Sequence, residues 1–342
     1  MPGGLGHVNV AVSMLFVGIS GSSTADAAGC GKILIPSMIK EGYDPRFAIA
    51  ITACSSVMGV IIPPSILMIV WGGVMQVSVG ALFLAGAIPG IMIGFALMAT
   101  VYGYAKVYNY PIELKPTWGT ALKAFKGAAL AMLTPVFVIY GIVAGIVTPT
   151  ESAIIAAAYS LFLGMVVYRT VTVREVGTIL YDTGRFASIS LFAIGTASVF
   201  GWLLAYYNVP RLIIEVMVDL NLGTFGTCLV IAFLFLFFGL FIDAIPTIII
   251  LGTVLLPVAI QADISPIVFA IIGIISLAFG LVTPPYGLCL LISAAIGGMN
   301  VMQVMKEVVI ILIPMLLILL LIIVFPEIAL WLPKALMPAS FK

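Results

Sequence analysis

GKILIPSMIKEGYDPRFAIAITACSSVMGVIIPP (residues 31–64) and GTVLLPVAIQADISPIVFAIIGIISLAFGLVTPP (residues 252–285) are one pattern written twice. At a constant offset of 221 residues and without a gap, Gly31 matches Gly252, Pro36 matches Pro257 and Pro45 matches Pro266. Further along, Ser55 matches Ser276, Gly59 matches Gly280, and Pro63-Pro64 matches Pro284-Pro285. All these pairs but the serines are Gly or Pro, the residues that dictate backbone geometry, so the repeat encodes a shape more than a surface. Apolar segments interrupted by Gly and Pro at corresponding places in two halves of a membrane chain point to a transport site.

Composition places the chain in a membrane. Of its 342 residues, 63% are hydrophobic and only 8% charged, against roughly a quarter charged in an ordinary soluble domain. Stretches such as 80–105, 185–207 and 308–326 supply the ~20 apolar residues that cross a bilayer. A net charge of +1 gives no footprint for nucleic acid. Cys30, Cys54, Cys228 and Cys289 lie in apolar segments without CxxC spacing and read as small buried hydrophobes. Residues 1–9 show neither the charged start nor the cleavage pattern of a signal peptide.

The expected fold is an all-α polytopic membrane protein with two repeats. In the first (1–105), a hairpin over 8–40 is interrupted at Ser20–Asp26, a broken helix over 46–72 at Gly59 and Pro63-Pro64, and a span follows at 80–105. Scaffold spans follow at 124–147, 150–168 and 185–207. The second repeat (208–342) has an amphipathic interfacial helix at 209–221, carrying Arg211, Glu215 and Asp219. After it come a hairpin over 224–260 interrupted at 242–246, a broken helix over 266–298 interrupted at 280–287, and a last span over 306–333.

Positive charge sets the orientation. Lys106, Lys115, Lys123 and Lys126 in one loop and Arg169, Arg174 and Arg185 in another are separated by two spans, so both loops face the cytoplasm. Lys40, Arg46 and Lys306 then fall inside, and only Arg211, Lys334 and Lys342 outside. This count holds if each interrupted segment is a re-entrant hairpin, entering from opposite faces, which makes the repeats inverted.

Unwound backbone in hydrocarbon persists only where protein, water or ions satisfy it. Freed carbonyls suit Na⁺, and neighbouring helix N-termini favour an anion. Hydroxyls stand at every interruption: Ser22, Ser23 and Thr24; Ser55 and Ser56; Thr247; Ser276 and Thr283. Asp26 and Asp243 in the hairpin tips read either as ion ligands or as helix N-caps. Glu151 reads as a cap of its span, and Asp44 and Asp263 as turn residues beside Pro45 and Pro266.

These residues resemble a known family. Gly18-Ile-Ser-Gly-Ser-Ser-Thr-Ala-Asp26, Ile35-Pro-Ser-Met38, Gly42-Tyr-Asp-Pro45, Thr52-Ala53, Ser55-Ser56 and Ile61-Ile-Pro-Pro-Ser65 are similar to the large membrane subunit of TRAP (tripartite ATP-independent periplasmic) transporters. So are Thr148-Pro-Thr-Glu151, Phe241-Ile-Asp243, Thr283-Pro-Pro-Tyr-Gly287 and Leu330-Trp-Leu-Pro333. The resemblance implies a secondary transporter of the bacterial inner membrane. It would use a Na⁺ gradient to import an organic acid delivered by a periplasmic binding protein, with a small membrane subunit completing the complex.

The family's elevator mechanism would carry hairpins and broken helices as one body against a scaffold. By position, one Na⁺ site would use Ser22, Ser23 and Asp26 with Ser55, Ser56, Gly59, Ile62 and Pro63. A second would use Asp243 and Thr247 with Ser276, Gly280, Thr283 and Pro284. Substrate would lie between, at Ser22, Pro64, Ser65, Pro285, Tyr286 and Gly287. Family members place several spans ahead of the first hairpin, so this chain is expected to be N-terminally truncated.

Two rival readings exist. A Na⁺/carboxylate symporter working without a binding protein shares the broken-helix core, though Gly42–Pro45 and Thr148–Glu151 favour the tripartite family. An intramembrane protease would use Ser20 within Gly18-Ile-Ser-Gly21, or Asp26 with Asp243. The serine version lacks a later histidine, since His7 is the only one. The aspartyl version needs the two carboxylates side by side.

Overall fold

The computed structural model describes residues 2–108, 110, 118–219 and 222–338. Lys115, Lys342 and the end of the interfacial segment at 220–221 lie outside the described residues. The described residues form helices and connecting turns, without a strand.

The first half opens with α1 (Gly4–Ser20), a turn at Gly21, and α2 (Ser23–Lys40). Ser22 starts α2 as its N-cap, its Oγ accepting from the Ala25 N–H at 3.4 Å. Asp44 caps α3 (Pro45–Ser56), its Oδ1 accepting from the Arg46 N–H at 2.8 Å, with Pro45 in the first turn where no amide donor is needed. A 3₁₀ turn at Val57–Val60 and an irregular stretch through the cis Pro63-Pro64 bond follow. Ser65 then caps α4 (Ile66–Met75), and α5 (Val79–Val107) runs on as a full span.

Three long helices follow: α6 (Trp118–Val143), α7 (Pro149–Phe162, wound on to Val167 as a π turn) and α8 (Val173–Tyr206). The segment read as a loop through Arg174 and Arg185 is helical. Thr172 and Glu175 form a capping box that starts α8 at Val173. A second capping box, Thr148 with Glu151, starts α7, which gives Glu151 the capping role. Apolar side chains such as Phe186, Phe192 and Trp202 point outward from α8, an arrangement stable against hydrocarbon and costly against water. α9 (Val209–Asp219) is the amphipathic segment, with an Arg211–Glu215 ion pair at 3.1 Å.

The second half comprises α10 (Gly223–Gly239), α11 (Ala244–Thr247), a π turn at Ile248–Gly252, α12 (Thr253–Gln261), α13 (Pro266–Gly280), α14 (Leu288–Gly297), α15 (Val301–Val324) and α16 (Glu327–Leu336). What reads as one last span over 306–333 is two helices, because Pro326 cannot donate to a continuing ladder and α15 stops at Val324. α16 lies against α5.

Helix boundaries recur at the offset of 221. Ser23–Lys40 returns as Ala244–Gln261, and the turn after it is copied bond for bond. Tyr43 N–H donates to Met38 and Gly42 N–H to Ile39; Ile264 N–H donates to Ala259 and Asp263 N–H to Ile260. Gly42 and Asp263 both adopt the left-handed conformation, with φ of 89° and 57°. This is a Schellman-type helix end, where glycine carries no Cβ penalty and aspartate does. Asp263→Gly is therefore expected to stabilise the protein, by about 0.5–1 kcal/mol, read as a raised midpoint in thermal unfolding of the purified protein. A lowered midpoint would show that the Asp263 side chain contributes more than its backbone strain costs.

The halves are interlocked. α14 packs on α2 and α3, while α4 packs on α11, the π turn and α12. A Cβ on Gly31 would lie 3.2 Å from Ile296 Cδ1, and one on Gly252 would lie 2.3 Å from Met75 Cε. Met75 and Ile296 are themselves one offset apart, so the contact is reciprocal between the halves. Trp71 of α4 is fully buried against Phe235 and Phe269 of the second half, with ring centroids 5.4 and 5.2 Å away.

Among the described residues six helices are long and apolar enough to cross a membrane: Val79–Val107, Phe125–Val143, Pro149–Val167, Val173–Tyr206, Ala244–Gln261 and Val301–Val324. The four cysteines are free and buried.

Candidate functional site

Each helix break is seated on a hairpin end, and glycine makes that seat. At Gly59 a Cβ would stand 2.6 Å from the Ser23 amide nitrogen and 2.8 Å from Ser22 C and Ser23 Cα. At Gly280 it would stand 2.6 Å from the Gly239 carbonyl oxygen. Backbone therefore meets backbone at both places. A hydrogen bond closes each junction: Ile66 N–H donates to Gly21 O at 3.3 Å, and Tyr286 N–H donates to Leu240 O at 2.9 Å.

Within each break the α-helical ladder tightens. Ile61 N–H bonds Met58 O, and Leu281, Val282 and Thr283 N–H groups bond carbonyls three residues back. Pro63, Pro64, Pro284 and Pro285 then contribute no donors at all. Ser65 Oγ donates to Val60 O at 2.7 Å and Thr283 Oγ1 to Phe279 O at 2.8 Å, each satisfying a carbonyl near its break.

The first junction thus unites Ser22, Ser23, Gly59 and Pro64. Ser22 Oγ is 3.0 Å from Thr24 Oγ1, and Ile62 N–H bonds Met58 O at 2.8 Å. Ser23 Oγ is buried without a hydrogen-bond partner among the described residues. The second junction unites Gly280 and Tyr286 with the end of α10, while Asp243 and Thr247 begin α11. Asp243 occupies the N-cap position with no side-chain capping bond and is exposed, while Thr247 Oγ1 donates to Asp243 O at 2.8 Å. Ser276 Oγ is buried and, like Ser23 Oγ, has no partner among the described residues. At the first junction the orphaned Ser23 hydroxyl and the tightened backbone carbonyls form a hard-oxygen donor set of the kind Na⁺ takes, so the residues present there fit that ion.

Ser22, Pro64, Pro284, Tyr286 and the more exposed Pro285 are accessible, whereas Pro63, Ser65 and Gly287 are buried. Three predicted site residues face elsewhere. Ser56 Oγ donates to Ala53 O at 2.7 Å within its own helix. Ser55 Oγ bonds Asn9 Oδ1 and lies 3.1 Å from Ser13 Oγ of α1. Asp26 sits one turn into α2, buried, and neither carboxyl oxygen has a hydrogen-bond partner among the described residues. The cap at that helix start is Ser22, so Asp26 is not an N-cap. Asp26 is also not hydrogen-bonded to Asp243, and His7 Nε2 bonds nothing among the described residues. Neither protease geometry is formed.

Sequence reading missed two features. Gly86, Gly90 and Gly94 line one face of α5, where a Cβ would strike Ile61 O at 2.5 Å, Ile62 Cγ1 at 2.3 Å and Met14 Sδ at 2.5 Å. Their spacing of four is the small-residue stripe of packed membrane helices, and was readable. Asn9 and Ser13 are the other omission, a polar pair one turn apart on the buried face of a mostly apolar helix.

The class is therefore a polytopic all-α membrane protein built round two glycine-seated helix breaks. The chain belongs to the family described as the tripartite ATP-independent periplasmic transporter, DctM component, whose model matches residues 1–328. It is 38% identical over 336 residues to the sialic acid TRAP transporter permease protein SiaT of Haemophilus influenzae, covering 98% of this chain and 54% of that protein. To the sialic acid TRAP transporter large permease protein SiaM of Vibrio cholerae it is 37% identical, covering 98% of this chain and 78% of that protein. The C4-dicarboxylate TRAP transporter large permease protein DctM of Vibrio cholerae is 33% identical, at 98% and 78% coverage. The chain thus spans about half of the first of these relatives and about three quarters of the others. These relatives are transporter permeases, which agrees with a transport role for a multi-pass membrane protein.

Proposed function

We propose that this chain is the transport subunit of a Na⁺-coupled importer of an organic acid anion in the bacterial inner membrane. It works with a periplasmic binding protein and a small membrane subunit. The observation that carries this reading is the pair of junctions at Gly59 and Gly280, where backbone meets backbone and the helix ladder tightens at two places related by the repeat, with the unpartnered Ser23 hydroxyl at the first of them. One Na⁺ would be held by Ser22 and Ser23 with the carbonyls from Gly59 to Pro63. The second would be held near Asp243 and Thr247 with Ser276 and Gly280 to Pro284. Na⁺ supplies positive charge there, and the anion lies between, near Ser22, Pro64, Ser65, Pro285, Tyr286 and Gly287.

The charge distribution supports re-entrant, inverted hairpins, and the reciprocal contact of Gly31 with Ile296 and Gly252 with Met75 supports a two-fold relation between them. Such a body moves as a unit, with α6 to α8 as part of the scaffold. Relatives are named for sialic acid, C4-dicarboxylates and 2,3-diketo-L-gulonate. Sialic acid leads the substrate screen, because the permeases named for it are 38% and 37% identical.

Reconstituted into liposomes with its partners, the transporter is expected to take up substrate only with binding protein present and faster as external Na⁺ rises. Thr283→Ala is expected to lower that uptake severalfold. Na⁺-independent uptake would overturn the ion assignment. Uptake without any binding protein would favour a simple Na⁺/carboxylate symporter.

A further inference from the structure

Asp26 is 1% exposed, and both carboxyl oxygens lack a hydrogen-bond partner among the described residues. Burying an ionised carboxylate is too costly to persist unless something balances the charge. Among the described residues no ion pair does so: those present are Arg211–Glu215 and Lys334–Glu327, whose side chains are exposed. The side chains beside Asp26 are neutral, and through Ser13 they lead into a cluster of oxygens. Ser13 of α1 and Cys30 of its own helix stand beside its carboxyl. Ser13 Oγ is 3.1 Å from Ser55 Oγ, which is 3.1 Å from Asn9 Oδ1.

That oxygen cluster is held in place. The Asn9 Nδ2 group donates to Thr52 Oγ1 at 2.7 Å, and Thr52 Oγ1 donates in turn to Ala48 O at 2.7 Å, so the amide oxygen is left facing Ser55. Asn9, Ser13 and Ser55 are all fully buried. Na⁺ has nearly the radius of Ca²⁺, whose oxygen ligands stand at about 2.3–2.6 Å. Adjacent ligands at that distance lie a little over 3 Å apart, which is the separation of the hydroxyls and amide oxygen here.

We propose that the core of the first hairpin holds a third Na⁺ site, formed by Asp26 with Ser13 Oγ, Ser55 Oγ and Asn9 Oδ1, separate from the two junction sites. It rests on the Na⁺-coupled reading and adds one ion to it. The second half cannot hold its counterpart. At the same offset Asn9, Ser13, Asp26 and Thr52 become Val230, Leu234, Thr247 and Gly273, and only Ser55 returns, as Ser276. The third ion therefore belongs to one repeat alone.

The test is equilibrium binding of radioactive Na⁺ to the purified, intact transporter without substrate, with size-exclusion chromatography as the folding check. The wild type is expected to bind three Na⁺ and Asp26→Asn two. Ser13→Ala, which keeps the carboxylate, is expected to weaken one of three sites by roughly ten- to a hundredfold, the scale of a lost partner at a metal site. Wild type binding two Na⁺, with Asp26→Asn also binding two, would overturn the third site and leave the junction sites standing. A proton taken up by Asp26 in place of Na⁺, seen as a binding count independent of Asp26 with altered proton release, would overturn it as well. Wild type binding no Na⁺ would instead overturn the underlying reading.

Discussion

Gly59→Ala is expected to abolish Na⁺-coupled uptake while leaving the protein in the membrane. The added Cβ would stand 2.6–2.8 Å from three backbone atoms of Ser22 and Ser23. Backbone atoms at a helix start cannot swing aside as a side-chain end can. Accommodation requires the 3₁₀ turn and the hairpin end to separate, at about 1–3 kcal/mol for an overpacked site. The larger effect is on function, because that separation pulls apart the oxygen groups of the first junction. Gly280→Ala should behave alike, since its Cβ would meet the Gly239 carbonyl at 2.6 Å. Gly252→Ala is the control. Its Cβ would meet only the flexible end of Met75, so uptake should be nearly kept. Equal loss of uptake in Gly59→Ala and Gly252→Ala would show that the junctions have no special role.

The second large effect is expected at Trp71. Its indole is fully buried between the halves, against Phe235 of α10 and Phe269 of α13, and a Cβ on Gly273 would strike it at 2.3 Å. Trp71→Ala removes that plug and leaves a cavity, a loss of about 3–5 kcal/mol. Trp71→Phe keeps an aromatic body and should lose less. Thermal unfolding of the purified protein checks both, and a midpoint for Trp71→Ala equal to wild type would mean that the halves do not depend on this contact. Because Trp71 stands on the half-helix after the first break, its loss should also loosen substrate binding, visible as a raised half-saturation concentration in Trp71→Phe.

The positions of the breaks were legible in the sequence because their causes are local. Proline lacks an amide donor, and glycine lacks a Cβ, wherever they occur. The start of α2 was less legible. Asp26 before an apolar run reads as a cap, but Ser22 holds the cap four residues earlier and turns Asp26 inward. The loop through Arg174 and Arg185 was read from its charge, whereas a Thr172–Glu175 capping box makes it helix. Charge reports on the side of a membrane, not on backbone conformation.

By itself the sequence determined that this is a polytopic helical membrane protein with two Gly- and Pro-defined breaks, since hydropathy and backbone restriction are properties of the residues in a short window. Only the tertiary structure decided which surfaces those breaks meet. Ser55 reads like any hydroxyl near a break, yet the rotation of α3 turns it toward Asn9 and Ser13, more than forty residues away in the chain. Gly59 and Gly280 read as helix breakers, yet their shared feature in space is the backbone pressed against each of them. Contacts of this kind depend on how helices are rotated and stacked, and that is settled when the whole apolar interior packs together.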